Sequence, residues 1–320
     1  MPPQVREYVE QRAARLGHAA LEQAAEALSE HYRAGRPTAS APLSREEKVV
    51  AYLATRMPAT FAAADLVLRE AGRRLGGLRI SSSLDLGAGT GAATLAAREV
   101  FPDLLEATLL EADPSFAGAG RQLLPEQRWI ESDLREAGPW QTHDLVLACY
   151  TLGELDDPER IAALDRAWQA ARIALVLIEP GTTRGFHWVR EARDRLIRQG
   201  GRVLAPCPGD GPCPIASPDW CHFGARVERS SLHRRTKRAA LGYEDEKFSY
   251  VALARAFAGR TPGRIVRRPG RHAGWIDLTV CGREGIRPEK ITRRQGPAWR
   301  AARKAEWGGT WPPDTYTPHT

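Results

Sequence analysis

The stretch Leu84-Asp85-Leu86-Gly87-Ala88-Gly89-Thr90-Gly91 decides the fold. Ile80 to Leu86 reads as a short apolar strand, the glycines as a tight loop, and Ala92 to about Val100 as a helix. A nucleotide-type ligand needs that context, because bare glycine backbone turns sharply and approaches the ligand closely. Further short apolar runs lie at 107–111, 128–130, 144–149 and 173–178, mostly separated by helical stretches. Alternating strands and helices imply an α/β fold with a parallel sheet and right-handed crossovers. Helical periodicity returns at 184–199, residues 201–222 break all regularity, and Lys247–Ala254 and Trp275–Cys281 look like late strands.

On the N-terminal side the pattern is helical. Residues 3–33 read as one helix, with Leu16, Ala20, Leu21, Ala24, Ala25 and Leu28 at helical spacing. A Pro/Gly linker follows at 34–43. Ser44 with Glu47 forms a capping box that starts a helix at Arg45, and Pro58 interrupts before Ala59–Leu75 resumes. The expected organisation is a helical region at 1–78, a Rossmann-like core at 79–200 and a cysteine-rich, basic insertion at 201–246. Late strands at 247–307 would complete the core, and a Pro/Thr-rich tail at 308–320 reads as disordered.

The 320 residues have an ordinary globular balance, 42% hydrophobic and 27% charged, which argues against a mostly disordered chain. No apolar run approaches the roughly 20 residues that span a bilayer. The start, Met1-Pro2-Pro3-Gln4-Val5-Arg6, lacks the apolar core of a signal peptide. A soluble, cytoplasmic protein without membrane contact is expected, with its five cysteines reduced; a monomer is favoured. The net charge of +7 is segregated: residues 222–304 carry 21 Lys or Arg against 7 Asp or Glu. A basic third beside an acidic remainder points to a polyanion, most simply nucleic acid. Candidate phosphate contacts are Arg234, Arg235, Lys237 and Arg238, with Arg267, Arg268, Arg293 and Arg294 flanking the late strands.

Two acids extend the glycine loop. Glu111 ends the second strand about 20 residues on, where a carboxylate can accept ribose hydroxyls. Asp133 follows the third strand and could meet an adenine amino group. The pattern Asp-x-Gly-x-Gly-x-Gly differs from a dinucleotide fingerprint and resembles motif I of class I S-adenosylmethionine-dependent methyltransferases. That resemblance assigns Asp85, Gly87, Gly89 and Gly91 to the methionine portion, Glu111 to ribose and Asp133 to adenine. A methyl acceptor would sit at 149–153, beyond the fourth strand, but no Asn-Pro-Pro-Tyr-type motif occurs there. Cys149 stands alone and reads as a buried structural cysteine. The catalytic group is unknown.

The remaining cysteines form a constellation. Cys207-Pro208-Gly209-Asp210-Gly211-Pro212-Cys213 is followed by Pro214 and by Asp219-Trp220-Cys221-His222-Phe223. Three thiols in a Pro/Gly-rich loop converge on a metal more readily than they fill a core. Cys281, at the end of a late strand, would complete a four-thiolate set. The wide gaps, and proline after two of the cysteines, tilt toward an iron–sulfur cluster. His222 as a substitute ligand keeps zinc open.

These motifs, with Ala51–Thr60, Arg226–Ser230, Gly242–Tyr250 and Ala302–Gly308, resemble the methyltransferase-like assembly proteins of the mitochondrial small ribosomal subunit and their bacterial relatives. The resemblance covers about residues 45–308. It implies a class I methyltransferase fold, S-adenosylmethionine at the glycine loop, and binding to the small subunit and its rRNA. It also implies a 4Fe-4S cluster on Cys207, Cys213, Cys221 and Cys281. Whether such a chain methylates rRNA or acts only in assembly stays open, as does a zinc site in place of the cluster. The basic third disfavours a methyltransferase for small molecules or proteins.

Overall fold

The computed structural model describes residues 1–33, 41–136, 138–228, 243–256 and 261–313. They fall into two compact units. One comprises Met1–Arg69, Arg79–Val176 and Ala225–Glu246; the other comprises Glu70–Leu78, Leu177–Gly224 and the chain from Lys247.

The first unit begins with helices. The single helix expected over 3–33 is two, α1 (Pro3–Leu16) and α2 (His18–Arg33). Gly17 breaks it: its φ of 84° lies where only glycine is at ease, and its N–H closes the last turn on Ala13. Helix α3 (Arg45–Thr55) carries the expected capping box, with both reciprocal Ser44–Glu47 bonds present. Helix α4 (Met57–Arg74) places Pro58 in its first turn, where a missing N–H costs nothing.

The strands then alternate with helices: β1 (Ser82–Leu86), α5 (Ala92–Val100), β2 (Glu106–Glu111), α6 (Pro114–Leu123), β3 (Arg128–Glu131), β4 (His143–Cys149), α7 (Asp157–Ala170), β5 (Ala171–Pro180) and α8 (Thr183–Arg198). Strands β6 (Arg202–Ala205), β7 (Phe223–Glu228) and β8 (Tyr243–Ala254) complete an eight-stranded sheet ordered β3-β2-β1-β4-β5-β8-β6, with β7 beside β8. Strand β1 is parallel to both β2 and β4, whereas β6 is antiparallel to β8. Every residue of β4 and four of five in β1 are buried, as in a sheet covered on both faces. This is the expected Rossmann-like α/β sheet. Chain order reverses between β1 and β4, so the crevice beyond their C-terminal ends is where such sheets bind ligands.

In the second unit, Trp275–Cys281 does not complete that core. It forms β11 (Trp275–Gly282) of a separate antiparallel sheet with β9 (Arg264–Ile265), β10 (Gly270–Arg271) and β12 (Gly285–Thr292). Ile265, Ile276, Leu278, Val280, Ile291 and Trp311 make its own core, with Ala302 from α9 (Gly296–Ala302). The expected disordered tail is therefore ordered as far as residue 313. Trp311 is buried and its Nε1 donates to Glu289 at 2.7 Å, while Thr310 bridges to Arg264. Residues 314–320 lie outside the described residues. No helix among the described residues is long and apolar enough to cross a membrane.

Candidate functional site

The glycine loop leaves β1 with Gly87, Gly89 and Gly91 at φ of 63°, 58° and 86°. A Cβ on Gly87 would lie 1.9 Å from Thr151 Oγ1, just beyond β4, and that hydroxyl donates to the Gly87 carbonyl at 3.2 Å. The loop thus closes onto the end of the neighbouring strand only because glycine stands there. Gly91 is the N-cap of α5.

Glu111, at the end of β2, is bound to this loop. Its Oε2 accepts from Gly89 N–H at 2.7 Å and its Oε1 from Asp113 N–H at 2.8 Å. Burial raises its pKa, and those two hydrogen bonds oppose the rise. Asp85 is inside the fold: its Oδ2 accepts from Thr94 N–H at 3.1 Å and from Thr94 Oγ1 at 2.7 Å, in the first turn of α5. Burial pushes its pKa up to about 7. Asp133, two residues beyond β3, pairs with Arg135 at 3.1 Å. Cys149 is buried at the end of β4.

Several residues at this end of the sheet carry no spacing signal. Tyr52 of α3 packs edge-on against Phe116 at 5.0 Å, and its hydroxyl comes within 3.2 Å of where a Gly89 Cβ would stand. Arg56 binds Glu246 through both nitrogens, at 3.2 and 3.1 Å, and lies 5.9 Å above the Tyr150 ring. Tyr150 is the single non-glycine residue with positive φ, 58°, among those described. The positions of Tyr52, Arg56 and Glu246 were marked only by lying in stretches that carry the family resemblance.

The second unit brings Cys207, Cys213, Cys221 and Cys281 to one cavity of about 200 Å³. The loop is pinned from several sides. Arg193 donates to the carbonyls of Gly209 and Gly211, Arg190 to Ile215, Trp220 Nε1 to Gly181, and Ser249 to the carbonyl of Cys221. Burial pushes the Cys221 thiol well above its ordinary range, and Cys207, Cys213 and Cys281 add to the rise. Burial, with Cys207 and Cys213, takes Cys281 to about 11. Burial also raises Cys207, against the pull of Arg193. Among the described residues no group of three His, Cys, Asp or Glu could hold one metal ion. His222 stacks on Trp220 at 5.0 Å and is not among the residues that line the cavity.

Of the candidate phosphate contacts, Arg293 and Arg294 are exposed in the short turn after β12. Arg268 is exposed above Trp307. Arg267 is half-buried and ion-paired with Asp219 of the cysteine loop. Arg234, Arg235, Lys237 and Arg238 lie outside the described residues.

The human ribosome assembly protein METTL17, mitochondrial, is 27% identical over 84% of this chain and 64% of its own length. The Schizosaccharomyces pombe Rsm22-cox11 tandem protein 2, mitochondrial, is 24% identical over 83% of this chain and 43% of its own. The chain thus spans less than two thirds of these curated relatives. Among solved structures, magnesium protoporphyrin IX methyltransferase (ChlM) from Synechocystis PCC 6803 with bound SAH is 13% identical. It covers 71% of this chain and 93% of that one, with a TM-score of 0.42. A family model described as mitochondrial small ribosomal subunit Rsm22 matches residues 46–312, from α3 through the core tryptophan of the small sheet, and the chain belongs to that Rsm22 family.

Proposed function

We propose that this protein is a methyltransferase-like assembly factor that binds the rRNA of the small ribosomal subunit. In this proposal it holds S-adenosylmethionine at the glycine loop and a 4Fe-4S cluster on Cys207, Cys213, Cys221 and Cys281. The observation that carries it is the convergence of those four thiols, three from one loop and one from β11, on one cavity. Its volume of about 200 Å³ far exceeds the ~10–15 Å³ that one water-sized occupant requires. The wide gaps between the cysteines, and proline after two of them, favour a cluster over zinc. When bound, a cluster would cross-link the loop to β11.

At the glycine loop, Glu111 presents two oxygens where ribose hydroxyls would take over from the Gly89 and Asp113 N–H groups. Asp133, ion-paired with Arg135 beyond β3, is the proposed partner of the adenine amino group. Asp85 serves indirectly, holding the first turn of α5 that the loop leads into. Arg268, Arg293 and Arg294, with the basic stretch 234–238, supply phosphate contacts that position RNA without reading its sequence. The proposal places the protein in the cytoplasm, whereas its curated relatives carry mitochondrial names.

A second reading, methyl transfer to rRNA, is favoured by Tyr150. Strained non-glycine backbone concentrates at functional sites, and this residue stands at the strand end where an acceptor would enter. Labelled S-adenosylmethionine, anaerobically purified protein and small subunits from cells lacking it separate the two. Label in rRNA makes the protein an enzyme. Tight, salt-sensitive binding without label supports the assembly factor. Failure to bind subunits at low salt sinks both.

A further inference from the structure

Two buried arginines line the cysteine cavity, Arg193 of α8 and Arg264 of β9, and they are not equivalent. Each nitrogen of Arg264 donates at least one hydrogen bond. Its Nε donates to the Pro206 carbonyl at 3.0 Å and its Nη1 to that of Gly308 at 2.7 Å; Nη2 donates to Glu70 at 2.6 Å and Thr261 at 3.1 Å. Glu70 is itself buried, so it matches the charge of Arg264 inside the fold.

Arg193 is 4% exposed. Its Nη2 donates to the carbonyls of Gly209 and Gly211, at 3.0 and 2.5 Å, both between Cys207 and Cys213. Its Nη1 meets Asp194 at 2.5 Å, but that carboxylate is 40% exposed, so water screens the pair. The Nε–H is buried and has no hydrogen-bond partner. Native folds rarely leave such a donor orphaned, and each case calls for an explanation. Arg193 and Cys207 line the same cavity. The four cysteines are among the residues that line that cavity with Arg193.

We propose that Arg193 is a positioning residue of the cysteine site, with its Nε–H and its cation directed at the sulfur of Cys207 to favour the reduced state of the cluster held there. The inference rests on the cluster assignment made above. Reduction of a 4Fe-4S centre takes up one electron, breaks no bond and moves no proton, so it adds one negative charge among the sulfurs. Hydrogen bonds to sulfur and a nearby cation are the levers by which a protein stabilises that added charge.

The test uses the full chain, native and as Arg193→Lys and Arg193→Leu, reconstituted anaerobically with ferrous iron and sulfide. Iron and sulfide content is measured first. A dithionite titration followed by electron paramagnetic resonance then gives the midpoint potential. All three proteins are expected to bind equal iron. At fixed potential the reduced-to-oxidised ratio of Arg193→Leu should fall at least tenfold, a shift of 59 mV for one electron. Arg193→Lys keeps the charge but not the Nε–H, and should fall between. Native protein that binds no iron or sulfide overturns the cluster assignment and this inference together. Native and Arg193→Leu proteins that both load and titrate at one potential overturn the role of Arg193 alone. Variants that fail to load would show that the side chain serves only to hold Gly209 and Gly211, which also overturns it.

Discussion

Asp85 sits fully inside the fold, with one carboxylate oxygen committed to Thr94, and its pKa rises to about 7. Between about pH 4 and 7 the folded state therefore keeps a proton that the unfolded chain has released. Stability falls as pH rises through that window and levels off above it, by up to ~4 kcal/mol at 1.36 kcal/mol per unit. Asp85→Asn removes the titration. Urea midpoints at pH 4.5 and 8 should show native protein losing ground to the variant, and parallel behaviour would count against it. The loop glycines were legible because positive φ ties glycine to its place, and Gly87, Gly89 and Gly91 all have it. The burial of Asp85 was not, because a carboxylate that caps a helix turn and one that faces a ligand look alike in sequence. Nor was the positive φ of Tyr150, since an aromatic residue gives no sign of it.

Helix α6 carries two glycines with opposite requirements. A Cβ on Gly118 meets nothing within 4 Å, whereas one on Gly120 would lie 2.0 Å from the Trp129 ring of β3. Gly118→Ala should stabilise the protein by ~0.5–1 kcal/mol, because alanine loses less backbone freedom in a helix. Gly120→Ala should destabilise it by ~1–3 kcal/mol through overpacking. Thermal midpoints that move in the same direction would contradict the close approach of α6 to β3. Elements that repeat a period were legible. Those missed are short or atypical: β6 has four residues before Pro206, and β12 contains Pro288. Proline is tolerated in β12 because that strand ends the order β10-β11-β12. The split of the first helix was missed because Gly17 leaves the apolar spacing on either side intact.

At the scale of the molecule, the second unit owns a core that local pattern could not reveal. Nothing in the periodicity of Trp275–Cys281 says whether it joins the large sheet or builds another, since that depends on pairing with β9, β10 and β12. Trp311 lies within the Pro/Thr-rich tail, yet it fills that core. Trp311→Ala should destabilise the second unit by ~3–5 kcal/mol. The expected signature is an early urea transition in which Cys281, buried on β11, reacts with a thiol reagent before Cys149 of β4 does. A single transition exposing both together would argue against separable units. The position of Trp311 also sets an order in time. Cys281 leaves the translating ribosome well before the tryptophan that seals its sheet. At about 5–20 residues per second that interval lasts on the order of seconds. Cys281, buried in the finished fold, therefore spends the start of its life in an unsealed sheet, and its thiol stays open to solvent until the small core shuts.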